Sequence, residues 1–488
     1  MTGGILPAAH PRLAAAIWLT GASHLCLAAG HLALGSDRFL TLSMGAMSLW
    51  GISRLMRDEI WPGDYYVFAL GIYSGTAALA VKLAYGQPLQ SNLQHPGMAC
   101  AILLGGFVAA AGAAEIARLV ARRVVPPATV RAWADPGLLA RAYPWLLAAG
   151  AAFLLLHVAV RPRMVAGVLH QTDGFGGFGA FTFLLTLGLA AASRRLLIDG
   201  ARGPFRVLIL AGIAMVTLSL VANTKREVFE FGICLLLGLL AARARLRILP
   251  SLAAIGAAAV VALYVSPVIH LMRNDFLEIG LVGRVSEGWS ILKAHGFDPA
   301  ALAEEEARFF AGFSYAYREA GSYIFPERGA FDRFMLILPV DQVARMALEG
   351  EVMGVRPFAR EALEGILPSI LIDKSVMVGS DRVAWAYGIR EYGSSARPVL
   401  GFTATALAMG GPVAVISAPI LVLLPVLIAF NIAFGHLRAS ALGHGFIAIS
   451  WYLAEQGVDS LISFAGRNAA LMWVVSALLA TWWKERRA

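Results

Sequence analysis

Cysteine is scarce and scattered. Cys26, Cys100 and Cys234 each lie inside an apolar stretch, at no metal-ligand spacing, which indicates neither a disulfide framework nor a thiolate zinc site. Charge is scarce as well. Charged residues make up 15% of the 488, whereas 58% are hydrophobic, and a soluble protein of this length cannot hide that much apolar surface. No glycine-rich phosphate loop is present, so nucleotide hydrolysis is not indicated. No His/Cys cluster has metal spacing. The formal net charge of +9 does not point to nucleic acid, because the cations lie mostly in short loops between apolar runs, where they set topology.

What is abundant is apolar sequence, with a mean hydropathy of +0.69. A helix needs roughly 20 mostly apolar residues to cross a bilayer. That template places spans near 13–34, 39–53, 66–84, 98–120, 144–160, 175–192, 205–222, 228–242 and 248–269. After a long polar interval come three more, near 412–434, 445–464 and 469–483. The first apolar run is too long for a signal-peptide core and has no clear cleavage site, so it reads as a retained span. The expectation is an all-α polytopic membrane protein of about twelve helices, divided into a membrane part at 1–269, a large external loop at 270–400 and a membrane part at 401–488.

Arginine and lysine gather in alternate loops. One set comprises Arg54 and Arg57, the arginines from Arg118 to Arg141, those from Arg194 to Arg206, Arg243 to Arg247, and the tail Lys484 to Arg487. These loops read as cytoplasmic, together with both termini. The outward exceptions are then informative. Lys225 and Arg226 sit in a very short turn, Asn223 to Glu227, between two apolar runs. They read either as a functional pair or as cations neutralised by Glu227 and Glu230 at a helix start. Arg161 and Arg163 read either as snorkelling at a helix end or as a substrate contact.

The interval 270–400 is too long for a plain loop and needs structure of its own. Positions 276–295 have helical spacing, with Phe276, Ile279, Leu281, Val285, Trp289 and Leu292 as expected buried positions. Glu304 to Arg308 reads as a solvated helical face. Aromatics crowd 309–323, as an interfacial belt or a surface for stacking sugar rings. Positions 331–347 read as an amphipathic helix on the outer leaflet, carrying Arg333, Asp341 and Arg345.

Several short motifs line up with one family. They are the Thr224-Lys225-Arg226 turn, Arg333 in an outer amphipathic segment, the string Leu367-Pro368-Ser369-Ile370-Leu371-Ile372-Asp373-Lys374, and Gly401-Phe402-Thr403-Ala404-Thr405 leading to Met409-Gly410-Gly411-Pro412 before a span. The chain resembles the Wzy-type polysaccharide polymerases of bacterial envelopes, chiefly over 223–434. Ser369 stands where that family commonly has arginine, and Ile372 where it commonly has proline.

The resemblance implies a GT-C-like helical membrane fold in the bacterial inner membrane, with the active site on the periplasmic face. It implies transfer of a growing glycan from undecaprenyl diphosphate onto a hydroxyl of an incoming lipid-linked repeat unit. Its partners would be that lipid-linked glycan, the bilayer, and proteins such as a chain-length regulator or a flippase. The first outer loop, Gly35-Ser36-Asp37-Arg38, has one acid where many lipid-sugar glycosyltransferases use a pair for a metal, and the pair Asp58-Glu59 falls inside. A reaction without metal or other cofactor is therefore expected, with cations meeting the charge on the leaving diphosphate. Arg226 and Arg273 are the catalytic cations and His270 is the candidate base, with Glu227, Glu319 and His170 as weaker alternatives for the base. Lys225, Arg333, Lys374, Arg161 and Arg163 are the expected substrate-binding cations. Arg273, Arg333 and Lys374 also have neighbouring acids with which they can simply pair. Two other functions fit the sequence: a glycan ligase that uses the same donor, and a transporter or flippase. Transport draws on Glu455 and Asp459, four apart within the expected eleventh span.

Overall fold

The computed structural model describes residues 11–160, 163–165, 168–170, 176–243, 256, 259–272, 279–313, 323–324, 334–367, 371–372, 379–389 and 399–485. In chain order the helices used below are α1 Pro11–Ala33, α2 Arg38–Leu55, α3 Pro62–Ala84, α4 Pro96–Ala121, α5 Pro136–Ala159, α6 Gly177–Leu197, α7 Gly203–Ala222 and α8 Arg226–Ala241. They continue as α9 Val261–Leu271, α10 Leu281–Ala294, α11 Pro299–Phe313, α12 Ile337–Leu348 and α13 Val355–Ile366. The last four are α14 Gly379–Ala386, α15 Gly401–Phe434, α16 Ala441–Ile449 and α17 Val458–Trp483. One small antiparallel hairpin pairs β1, Arg163–Val165, with β2, Val168–His170.

Seven of these helices, α3 to α7 with α15 and α17, are long and apolar enough to cross a membrane. The fold is that of a helical membrane protein. Helix starts follow local chemistry. Asp37 caps α2 by accepting the Leu40 amide at 2.9 Å, and Asp135 caps α5 by accepting the Gly137 amide at 2.9 Å, with Pro136 at the first helical position.

The chain forms two compact units. The first comprises 1–117, 316–427 and 452–462. On its α2–α4 side, Arg54 and Arg57 meet Asp64 and Glu115. Arg54 lies 2.5 Å from Glu115 and 3.6 Å from Asp64, and Arg57 lies 2.8 Å from each acid. Two cations and two acids thus share one largely buried network. Lys82 is fully buried, donates to the Ser91 hydroxyl at 2.7 Å and the Ser91 carbonyl at 3.0 Å, and faces the Tyr323 ring. Asp341 is also buried and accepts the Gln94 and His95 amides at 2.7 and 2.8 Å. Helix α12 is therefore packed into protein and does not lie on a leaflet as its sequence suggests: Ile337, Val340, Val343, Ala344 and Ala347 are buried along with Asp341.

Helix α15 begins eleven residues before the expected span and kinks at Gly410 and Gly411. Gly411 has φ +67, a conformation only glycine adopts freely, and Pro412 follows without an N–H to continue the ladder. The expected span 412–434 is the part after this kink. The expected turn near 465–468 is overturned. Phe464–Ala469 is a π-helical stretch inside α17, and the chain instead breaks at Gln456–Gly457. Glu455 and Asp459 therefore flank a break and do not share one face of a continuous helix. Within this unit Tyr73 donates to Glu455 at 2.5 Å.

The second unit comprises 118–315, 428–451 and 463–488. Helices α5 and α6 approach so closely that a Cβ on Gly150 would stand 2.2 Å from the Leu185 nitrogen. Leu154, Val158, Leu185, Met215, Leu218, Val221 and Ala222 form an apolar cluster where α5, α6 and α7 meet. Indole Trp133 donates to the Ser476 carbonyl at 3.0 Å, and His444 bonds the Cys234 carbonyl at 2.8 Å. Helix α10 packs by Gly288 and buried Arg284. Its Val285 and Trp289 are exposed, against the expectation that they are buried.

Candidate active site at the Lys225 turn

The turn between α7 and α8 is built by its backbone. Asn223 is left-handed, with φ +49 and ψ +47, a conformation asparagine tolerates. The Thr224 amide reaches back to the Ser219 carbonyl at 3.0 Å, which closes the C-terminus of α7. The Thr224 hydroxyl then accepts the Arg226 amide at 3.1 Å and opens α8. Arg284 braces the turn from α10. Its guanidinium donates to the Val221 carbonyl at 2.9 Å and to the Ile279 carbonyl at 3.0 Å.

This frame sends Lys225 and Arg226 in different directions. Arg226 Nε donates to Glu230 Oε1 at 2.5 Å, and Thr186 holds the other Glu230 oxygen at 2.6 Å. The Arg226 side chain keeps 43% exposure. Lys225 turns instead to α9, where its amine lies 2.5 Å from Ser266 Oγ and 3.0 Å from His270 Nε2. Ser266 and His270 are four apart and so share one helix face. The π-helical turn Val261–Val265 leads directly into Ser266, and Pro267, which lacks an N–H, sits in the first turn of the α-helical stretch that carries His270.

The other ring nitrogen, His270 Nδ1, is hydrogen-bonded to Glu306 on α11. Carboxylate, imidazole and ammonium thus form one chain, Glu306–His270–Lys225. The Glu306 carboxylate accepts from Nδ1–H, which leaves the Nε2 lone pair to accept from the Lys225 ammonium. His270 is buried and Glu306 is mostly so, so the charges act with little screening by salt.

Sequence reasoning paired Lys225 with the turn and His270 with the helix end, and the structure brings the two together. Glu306 is the residue the sequence does not reveal, since the run Glu304 to Arg308 reads as a solvated face. Arg308 does pair with Glu304 and Glu305 in the open, at 3.4 and 3.2 Å. Glu306, however, stands one helical turn after fully buried Leu302. Three consecutive acids cannot share a face, and that spacing was the available signal. Glu227 is buried at the start of α8. The backbone of Arg163 lies in β1 and that of His170 in β2, register partners in the hairpin. Arg161, Arg273, Arg333, Lys374 and Glu319 lie outside the described residues. Among the described residues, no three His, Cys, Asp or Glu side chains converge as a metal set.

Fold and site define a helical membrane protein with a carboxylate–imidazole–amine chain beside a tight interhelical turn. No protein-family model, curated protein or solved structure matches it.

Proposed function

We propose that this protein is a glycosyltransferase that polymerises polyprenyl-diphosphate-linked oligosaccharide repeat units at the periplasmic face of the bacterial inner membrane. The observation that carries the reading is the Glu306–His270–Lys225 chain, which places a base and a cation side by side. Glycosyl transfer from a diphosphate needs both. His270 Nε2 takes the proton of the acceptor hydroxyl, whose oxygen bonds the anomeric carbon as the bond from that carbon to the diphosphate oxygen breaks. The leaving diphosphate carries the charge away, and Lys225 and Arg226 meet it. Glu306 holds the imidazole in the tautomer this requires and stabilises the imidazolium that forms. Arg273, Arg333, Lys374, Arg161 and Arg163 remain proposed cationic contacts.

A glycan ligase would use the same donor chemistry with a different acceptor. The transport alternative loses its main support, because Glu455 and Asp459 flank the break at Gln456–Gly457. The deciding experiment reconstitutes the full chain with lipid-linked repeat units, with and without chelator. A ladder of polymer lengths that survives chelator, is abolished by Arg226→Ala and is slowed about 10²–10⁴-fold by His270→Ala, is expected. A single capped product means ligase, and solute exchange without glycan synthesis means transport. Labelling of Thr224→Cys by an impermeant maleimide only from the cytosol overturns the sidedness.

A further inference from the structure

The site contains a conflict. The nitrogen that must take the acceptor proton, His270 Nε2, already accepts a hydrogen bond from Lys225 at 3.0 Å. A lone pair engaged by an ammonium cannot receive a second proton. In this arrangement the base is covered.

We propose that Lys225 is a latch on His270, released when an anionic diphosphate draws the ammonium away, so that the base is exposed only once the donor is bound. The inference rests on the glycosyltransferase reading for its purpose but not for its test. The chemistry favours release. A neutral imidazole is a weaker acceptor for an ammonium than a phosphate oxygen, since the phosphate's negative charge adds a Coulomb attraction that the imidazole lacks. Lysine suits a latch because its ammonium is a compact charge on a flexible four-carbon stem. The Ser266 hydroxyl, 2.5 Å from the amine, helps hold the latched position. The other side of the ring stays fixed, because Glu306 holds Nδ1 from a separate helix. Arg284 on α10, which also packs on α9, sends its donors to the Val221 and Ile279 carbonyls. The latch thus moves while the base stays oriented. An acceptor hydroxyl arriving before the donor would meet a covered base, so proton removal would wait for the donor.

The test uses the full chain in phosphatidylcholine nanodiscs with 15N-labelled histidine, with His270→Asn to assign the His270 ring signals. Lys225→Met supplies the reference for an uncovered Nε2. Farnesyl diphosphate is the probe, with farnesol and inorganic phosphate as separate arms to distinguish tail, anchored headgroup and free anion. The expected result is that farnesyl diphosphate moves the wild-type Nε2 signal to its Lys225→Met position and leaves Nδ1 in place, while farnesol moves neither. A shift with inorganic phosphate alone assigns the trigger to the anion and still supports the latch. Identical Nε2 signals in wild type and Lys225→Met overturn the covered base. Distinct signals that farnesyl diphosphate does not move overturn the release. Failure to make polymer while the Nε2 signal moves would refute the glycosyltransferase reading and leave the latch standing.

Discussion

Replacing Glu306 by Gln keeps the size of the side chain and removes its charge. His270 and Glu306 are hydrogen-bonded, with side chains 9% and 18% exposed, so solvent screens the pair little. In the ground state a neutral imidazole loses only a modest bond. In the transition state the ring carries the acceptor's proton, and the missing carboxylate counts fully. A hydrogen bond to a charged group contributes about 1.5–3 kcal/mol, which at one decade per 1.36 kcal/mol is about a 10- to 150-fold loss of rate. Removing the base itself by His270→Ala should cost about 10²–10⁴-fold. The informative measurement is the double variant. If Glu306 acts only through His270, then His270→Ala with Glu306→Gln is no slower than His270→Ala alone, because residues acting as a unit are not additive. The assay is the initial rate of polymer formation from lipid-linked repeat units in nanodiscs, at saturating substrate. Wild-type turnover in Glu306→Gln, or a double variant slower by the product of the two single losses, would refute the relay.

Three further outcomes follow from the packing. Arg284→Met should lower the thermal midpoint in detergent by an amount equivalent to about 2–3 kcal/mol, because it strips the Val221 and Ile279 carbonyls of a charged donor; an unchanged midpoint would remove Arg284 from the support of the turn. Gly150→Ala should destabilise toward the upper end of about 1–3 kcal/mol, since its Cβ would press on the Leu185 backbone, whereas Gly112→Ala, with nothing within 4 Å, should be tolerated. Equal yields and melting curves for the two variants would contradict the close approach of α5 and α6. Glu361 in α13 is held 2.5 Å from Arg382, yet its carboxyl is pushed up to about 7, first by burial and next by Asp459, against the pull of Arg382. The folded state thus keeps a proton that the unfolded chain gives up near the ordinary value of 4.5, so stability is greatest below about 4.5, falls as pH rises from there to about 7, and then levels off. Glu361→Gln should raise the midpoint at pH 8 by an amount equivalent to at most about 3 kcal/mol and leave it nearly unchanged below the unfolded value, at about pH 4; a difference that ignores pH would count against this.

Local patterns carried much of this fold. Long apolar runs marked α3 to α7, and Pro412 marked the point where α15 kinks. Short polar interruptions misled. Arg467-Asn468 looks like a turn by composition, yet a π-helical stretch carries it through α17, and the real break falls at Gln456–Gly457. Polarity reports the wish for a polar partner and does not say whether the backbone bends. Amphipathic spacing misled in the same way at α12 and α10, because a period of 3.6 shows that one face is apolar without showing what covers it. At the site, Lys225 and His270 were each legible from position and chemical type. Their meeting was not, since 45 residues separate them and only the packed helices join them. Glu306 was legible in principle from Leu302 four residues earlier, but it was masked by the acids beside it.

The network of Arg54, Arg57, Asp64 and Glu115 constrains how this chain can drift. Its four charges sum to zero, and losing one partner of a buried pair typically costs about 3–5 kcal/mol, whereas replacing the whole set by apolar residues of similar volume is often neutral. Substitutions at these positions should therefore be inherited in concert, an acid vanishing together with an arginine. Descendants of a common ancestor would show the four sites co-varying while each alone looks changeable.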